Sequence, residues 1–394
     1  MDWLRIGAFL LLIFYHIGMF FVHWEWHVKA RPVLEWVAVP MLATNAWRIP
    51  LLFLVSGYAS AAIVEKAASR TGTAAKFSWE RTKRLLIPVL FGMAVIVPPQ
   101  VWVDLTGQHG YRRGFLEFWA EDYFGFHEIA GIAMPTWQHL WFVVYLWLYT
   151  LALALLLAIL PREWRARISG WADRALAGWR VLAVPLVLLA LNLLASWPGH
   201  DTTHDVVNDG PVHFVFFGIF LFGYLLRGGA GVWEGIRAWW KTAAVLALIA
   251  YAAVAGVEIV YPGRAVPPAW VLAAYGFIRI VQGWCAIVAL LGVADRFWNR
   301  DHPWRATLTE AVFPFYLIHQ TIIVVVAWWC LDAGLGNDAS FGILVLATAL
   351  GSWLFYRWGR EVAGLRLLIG LRGWRKPLVG HDKPPVPLSS APGG

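Results

Sequence analysis

The chain has 394 residues, of which 60% are hydrophobic and only 14% charged; tryptophan alone occurs 27 times. These proportions exclude an ordinary soluble domain and a disordered chain, and point to a protein that lives in lipid. The formal net charge of +8 is spread over many connections rather than gathered in one patch, which gives a nucleic-acid function little support.

A helical span needs about 20 mostly apolar residues, and such stretches recur along the whole chain. Ten are predicted, at 4–22, 37–64, 84–103, 138–160, 180–197, 211–226, 242–262, 269–293, 309–331 and 339–358. Alternating β-type patterning is absent, so the expected fold is an all-α polytopic bundle rather than a barrel. Residues 1–375 are assigned to this membrane domain. The Pro- and Gly-rich stretch 376–394 is expected to be a disordered tail. The first span lacks a small-residue cleavage site and is expected to stay as an anchor. Segment 104–137, rich in aromatics and acids, is expected to fold over the bundle, and 198–210 reads as a loop.

Orientation follows from the basic residues, because loops rich in Lys and Arg stay cytoplasmic. They gather after spans two, four, six and eight, among them Lys66, Arg70, Arg81, Arg84, Arg162, Arg167, Arg227, Arg237, Arg296 and Arg305. The other connections are acidic, with Asp104, Glu121, Asp122, Asp205 and Asp209. Both termini are therefore expected in the cytoplasm. Cys285 and Cys330 both fall inside spans, so neither a disulfide framework nor a metal-type spacing is present, and no metal is expected.

An ionisable group in hydrocarbon costs several kcal/mol unless it faces protein or water, so the few polar residues inside the spans are the candidate site. In span one Asp2, Arg5 and His16 share a stripe: at about 100° per residue Arg5 lies about 20° from His16, and Asp2 about 40° to its other side. A rise of about 1.5 Å per residue puts His16 roughly 16 Å beyond Arg5, past the midplane. In span two Asn45 and Ser56 share a face, and Arg48 lies near mid-depth just before Pro50, which should interrupt the helix. His139 opens span four, Arg279 and Gln282 lie in span eight, and His319 and Gln320 in span nine. A polar cavity among these helices is the economical interpretation. In isolation His16 is equally well a bonded core histidine, and Arg48 and Arg279 are equally well members of structural ion pairs, for instance with Glu258 or Glu310.

Several blocks in order carry a resemblance. Arg5, ten residues and then His16 is similar to the Arg-x10-His signature of the membrane-bound acyltransferase 3 family. LFLVSGYAS at 52–60 resembles that family's Ser-Gly-Tyr segment. Arg81-Thr-Lys-Arg84 has its RxxR spacing, HLWFVVYL at 139–146 its His-Leu-Trp-Phe block, and FYLIHQTI at 315–322 its Tyr-Leu-x-His segment. Trp26-His27-Val28 adds a likeness to members associated with succinylation of periplasmic glucans. Ile6, where Gly often follows the Arg, departs from the family pattern, as does the lack of a basic residue ahead of Asp2. No extracytoplasmic hydrolase-like domain is fused to it, so the membrane domain is expected to act alone or with a separate partner.

The resemblance implies an O-acyltransferase of the bacterial inner membrane. Its donor would be cytoplasmic acyl-CoA, as succinyl-CoA or acetyl-CoA, with no permanently bound cofactor, and its acceptor an extracytoplasmic glycan such as a periplasmic glucan. It also implies roles. Arg81 and Arg84 would hold the CoA phosphates, unless they only anchor the topology. His16, with Arg5 and Asp2, would be catalytic, either as general base or through an acyl-His intermediate. Asn45, Arg48, Ser56, His139, Arg279 and His319 would bind substrate, Arg48 being suited to a distal carboxylate. Trp24, Trp26, Trp36 and Trp137 are placed to stack on sugar or to form an interfacial belt. Two rivals stand beside this reading: an O-acetyltransferase for lipopolysaccharide, exopolysaccharide or a small molecule, and a polytopic transporter. The paired interrupted spans in two related halves that mark transporters are not evident.

Overall fold

A computed structural model describes residues 1–68, 74–196 and 202–371; Arg70, Asp201, part of the 198–210 loop and the 376–394 tail lie outside them. The described residues form fifteen helices. They are α1 (Asp2–Phe21), α2 (Ala38–Asn45), α3 (Arg48–Ala68), α4 (Ala74–Phe91), α5 (Pro98–Gln108), α6 (Phe115–Glu117), α7 (Trp141–Ile159), α8 (Arg162–Ala175), α9 (Arg180–Ala195), α10 (Gly210–Leu226), α11 (Ala230–Val260), α12 (Ala269–Phe297), α13 (Trp304–Asp332), α14 (Asn337–Glu361) and α15 (Ala363–Leu368). One two-residue hairpin, Glu128–Ile129 with Ile132–Ala133, is the β-structure among them.

Eight helical stretches are long and apolar enough to cross a membrane, so the chain is an all-α, multi-pass membrane protein. The two other predicted spans take different forms. The fifth, α9, is bent 102° from α8, so that the Arg-rich α8 and the apolar α9 occupy two different directions. The sixth, α10, has 17 residues, short of the ~20 of a full crossing. The third and seventh spans start earlier than their apolar runs, near Ala75 and Ala230, because polar turns at their ends remain helical.

Two spans are interrupted where the sequence removes a hydrogen bond. Pro50 has no N–H for the carbonyl of Ala46, and the helix breaks over Ala46 and Trp47 before resuming as α3. Gly283 of α12 lies against that freed carbonyl; a Cβ there would stand 2.9 Å from Ala46 O. Between α4 and α5 the chain makes one wide turn, Gly92–Ile96, with Val97 N–H reaching back to Gly92 O at 2.8 Å. Ile96 O accepts instead from Thr321 Oγ1 of α13 at 2.7 Å. Wide turns of this kind concentrate at functional sites.

Helix α1 is surrounded by α13, α3, α14, α12 and α2, while α11 pairs with α12, α3 with α10, and α4 with α7. After α1 the chain folds back: Ala30 N–H donates to Phe20 O at 2.8 Å, Leu34 N–H to Phe21 O at 2.6 Å, and Lys29 Nζ to the carbonyls of Met19 and Val22, both at 3.0 Å. Segment 104–137 also packs down, burying Phe118 and Tyr123 completely. Ion pairs tie the basic connections together at the end where α1 begins: Arg227 with Glu65 at 2.6 Å, Arg237 with Asp295 at 2.8 Å, and Arg305 with Asp2 at 3.7 Å.

Candidate active site

His16 of α1 meets His319 of α13. Nδ1 of His16 lies 2.8 Å from Nε2 of His319, with the two rings 3° from coplanar. His319 has no exposed surface, and its Nδ1 faces Tyr316 O at 2.7 Å and Phe315 O at 3.2 Å. Carbonyl oxygens only accept, so Nδ1 of His319 carries the hydrogen and its Nε2 is the acceptor when the ring is neutral. Nδ1 of His16 then donates, and Nε2 of His16 is left with its lone pair. That nitrogen makes no hydrogen bond to any described residue. The indole of Trp26 packs on the His16 ring at 5.2 Å, and the same indole lies 5.1 Å from the His27 ring.

His139 is buried rather than at a mouth. It stands edge-on to His319 at 5.5 Å, its Nε2 donates to Leu317 O at 3.1 Å, and its own carbonyl accepts from Tyr316 Oη. The contacts hold α13 in register against the start of α7, which makes His139 a positioning group for His319.

Beside the histidine pair lies a second polar layer. Arg48, 4% exposed, spreads its guanidinium 3.7 Å over the Tyr15 ring and donates from Nη1 to Thr44 Oγ1 at 3.3 Å; its Nε is buried without a partner. Asn45 donates to Tyr15 Oη and accepts from Nη2 of Arg279, whose Nη1 faces Tyr275 Oη at 3.5 Å. Tyr15 in turn adjoins His16, ring to ring at 6.2 Å. Neither arginine pairs with a carboxylate: Glu310 pairs with Arg366 at 3.8 Å, and Glu258 lines an outer cleft. Arg48 is thus buried and Arg279 half-buried, each with neutral dipoles as its hydrogen-bond partners, an arrangement that favours an anionic ligand. Ser56 makes no hydrogen bond to these groups; its carbonyl accepts from Ser60.

A polar chain at the far end of α1 contains Gln320 of the sequence-derived candidates, and otherwise consists of residues outside that set. His27, 7% exposed, bonds through Nδ1 to Asp104 Oδ2 at 2.8 Å. Nε2 of Gln320 donates to Oε1 of Gln100 at 3.1 Å and lies 3.3 Å from His27 Nε2, and Gln100 donates to Thr321 Oγ1 at 2.6 Å. Gln108 closes the set onto Asp104 Oδ1 and the carbonyls of Trp26 and His27. The available signal was a histidine just past one span and an aspartate at the edge of another.

At the opposite end Arg5 donates to Thr309 O at 3.4 Å, with its Nε buried and unpartnered. Arg81 sits within electrostatic reach of both Arg5 and Arg84, and its Nε is also buried without a partner. The three cations form one cluster, about 16 Å along α1 from His16. Asp2 pairs with Arg305 at 3.7 Å and lies within electrostatic reach of Arg5. Among the described residues no cluster of His, Cys, Asp and Glu is arranged to hold a metal.

A multi-pass helical bundle with a histidine pair at its centre and a guanidinium cluster at one end has the parts of a membrane acyltransferase. The chain belongs to the acyltransferase 3 family: the family's model, an acyltransferase domain, matches residues 1–357. No curated protein and no solved structure matches it.

Proposed function

We propose that this chain is an inner-membrane O-acyltransferase that moves an acyl group from cytoplasmic acyl-CoA to a hydroxyl of an extracytoplasmic glycan. One observation carries the reading: the chain of hydrogen bonds from Tyr316 O through His319 to His16 sets the tautomer that leaves Nε2 of His16 free as a base. Arg81 and Arg84, with Arg5, hold the CoA phosphates at the cytoplasmic end through charge-assisted forks. The thioester then lies beside His16. As the acceptor oxygen attacks the thioester carbon, Nε2 of His16 takes the hydroxyl proton. The C–S bond breaks, and the proton passes to the departing thiolate, giving ester and free CoA. His319 accepts from the Nδ1–H of the transient imidazolium and holds the ring in place, as the orienting member of a catalytic pair does.

Arg48 and Arg279 favour a donor whose acyl group ends in a second carboxylate, so succinyl-CoA is the proposed donor over acetyl-CoA. The likeness of Trp26-His27-Val28 to family members associated with succinylation of periplasmic glucans supports a periplasmic glucan as the acceptor. Purified protein offered both donors, with glucan and with lipid-linked acceptors, should yield the succinylated glucan by mass spectrometry. His16→Gln keeps hydrogen-bonding capacity but cannot act as a base. It should lose transfer by a factor of about 10² to 10⁴ while still binding acyl-CoA. Transfer by His16→Gln at the wild-type rate would overturn the proposal.

A further inference from the structure

A cleft of about 570 Å³ opens at the end where α1 finishes, between the loop after α1 and the α11–α12 turn. Its size falls within the roughly 300–1,000 Å³ of small-molecule sites. The side chains that define its chemistry are Trp24, Glu25, Glu258, Tyr261, Arg264 and Tyr275. Two of these reach the active site directly. The Trp24 indole stacks on Tyr15 at 6.0 Å, and Tyr15 adjoins His16. Tyr275 Oη accepts from Arg279, which donates to Asn45. Tyr15 therefore separates the cleft floor from the His16 ring.

The lining selects a class of ligand. Indole and phenol faces offer flat apolar surface to the C–H face of a ring. Two carboxylates and one guanidinium supply acceptors and donors for adjacent hydroxyls. With two carboxylates, one guanidinium and the imidazole of His23 in its lining, the cleft has no excess of cations to draw a polyanion, so phosphorylated or polyacidic ligands are disfavoured. We propose that this cleft binds a hexopyranosyl unit of the acceptor, next to the unit whose hydroxyl reacts at His16. The inference rests on the acyl-transfer reading for its role, though not for the binding itself. Trp36, 68% exposed on the neighbouring turn, lies outside the cleft and takes no part.

The test titrates the full chain in nanodiscs with a soluble β-linked glucose oligosaccharide and, separately, with vesicles carrying a monoglucosyl lipid. Acyl transfer to each is measured in parallel. Binding of the oligosaccharide identifies a soluble glycan as the source of the sugar, and binding of the vesicles alone identifies a lipid-linked one. Glu258→Gln and Tyr261→Ala, three residues apart at the end of α11, should each weaken sugar binding at least tenfold and raise the acceptor KM while acyl-CoA affinity holds. Trp36→Ala should bind as the wild type does. Absence of binding to either ligand overturns the inference, as does unchanged affinity in both cleft variants. If the wild type binds sugar through the cleft yet transfers nothing to it, the acyl-transfer reading fails and the cleft stands. If transfer proceeds unchanged in both variants, the reverse holds.

Discussion

Lys29 shows how a single residue ties the active-site loop down. Its ammonium closes the end of α1 by donating to Met19 O and Val22 O, which holds Trp24, Trp26 and His27 against the bundle. Burial lowers its pKa from 10.5 to about 8, with nearby Glu25 acting the other way. A lowered pKa means that between about pH 8 and 10.5 the unfolded chain binds more protons than the folded one, so this residue's contribution to stability rises with pH across that window. Competitive labelling with acetic anhydride should give Lys29 a midpoint near pH 8; a midpoint above 10 would show an ordinary surface amine. Arg48 carries the donor prediction. Hydrogen bonds to charged groups are worth about 1.5–3 kcal/mol, so Arg48→Gln should raise the KM for succinyl-CoA by roughly tenfold to a hundredfold and leave that for acetyl-CoA within a factor of about two. Equal effects on both donors would make Arg48 structural. His16 was legible in the sequence because an ionisable group inside hydrocarbon stands out. His319 was legible as polar but not as its partner, since that pairing spans 303 residues and depends on how α1 packs on α13. His27 and Asp104 gave only a weak signal as site residues, because at the ends of spans polar side chains carry no such cost.

Among the elements, α3 and α10 approach each other closely. A Cβ at Gly57 would lie 1.9 Å from Phe220 O, and one at Gly223 would lie 2.0 Å from Leu54 O. The two backbones touch reciprocally through glycines, as small residues allow in membrane bundles. Since α3 begins at Arg48, this contact helps set the depth and rotation of that guanidinium. Gly57→Ala should force the helices apart at a cost of about 1–3 kcal/mol, seen as a lower unfolding temperature in detergent and reduced transfer. Gly7→Ala, with nothing within 4 Å, should hold or gain stability, because alanine is the better helix former. A Gly57→Ala protein as stable as the wild type would refute the close contact. Eight spans were legible because each is a long apolar run, and the break before α3 was legible from Pro50. The bend between α8 and α9 was not, because the charges of α8 read as a loop; nor was the wide turn at Gly92–Ile96, which answers to Thr321 on a distant helix.

For the molecule as a whole, the proposed acyl transfer and the alternation of basic and acidic connections together predict that CoA and acceptor approach from opposite sides. Single cysteines introduced near Arg167 should resist membrane-impermeant reagents from outside, and those near Asp122 and Asp205 should react. The native Cys285 and Cys330 are buried and should stay silent. The reverse pattern would put the cluster of Arg5, Arg81 and Arg84 on the side without CoA. The pairing of His16 with His319 also has a meaning in time. A ribosome adding about 5–20 residues per second needs roughly 15–60 s for the 303 residues between them. Throughout that interval the newly inserted α1 carries its histidine with no second ring to set its tautomer, so any chain released before α13 is made is a membrane protein that lacks the ring pairing on which the proposed base depends.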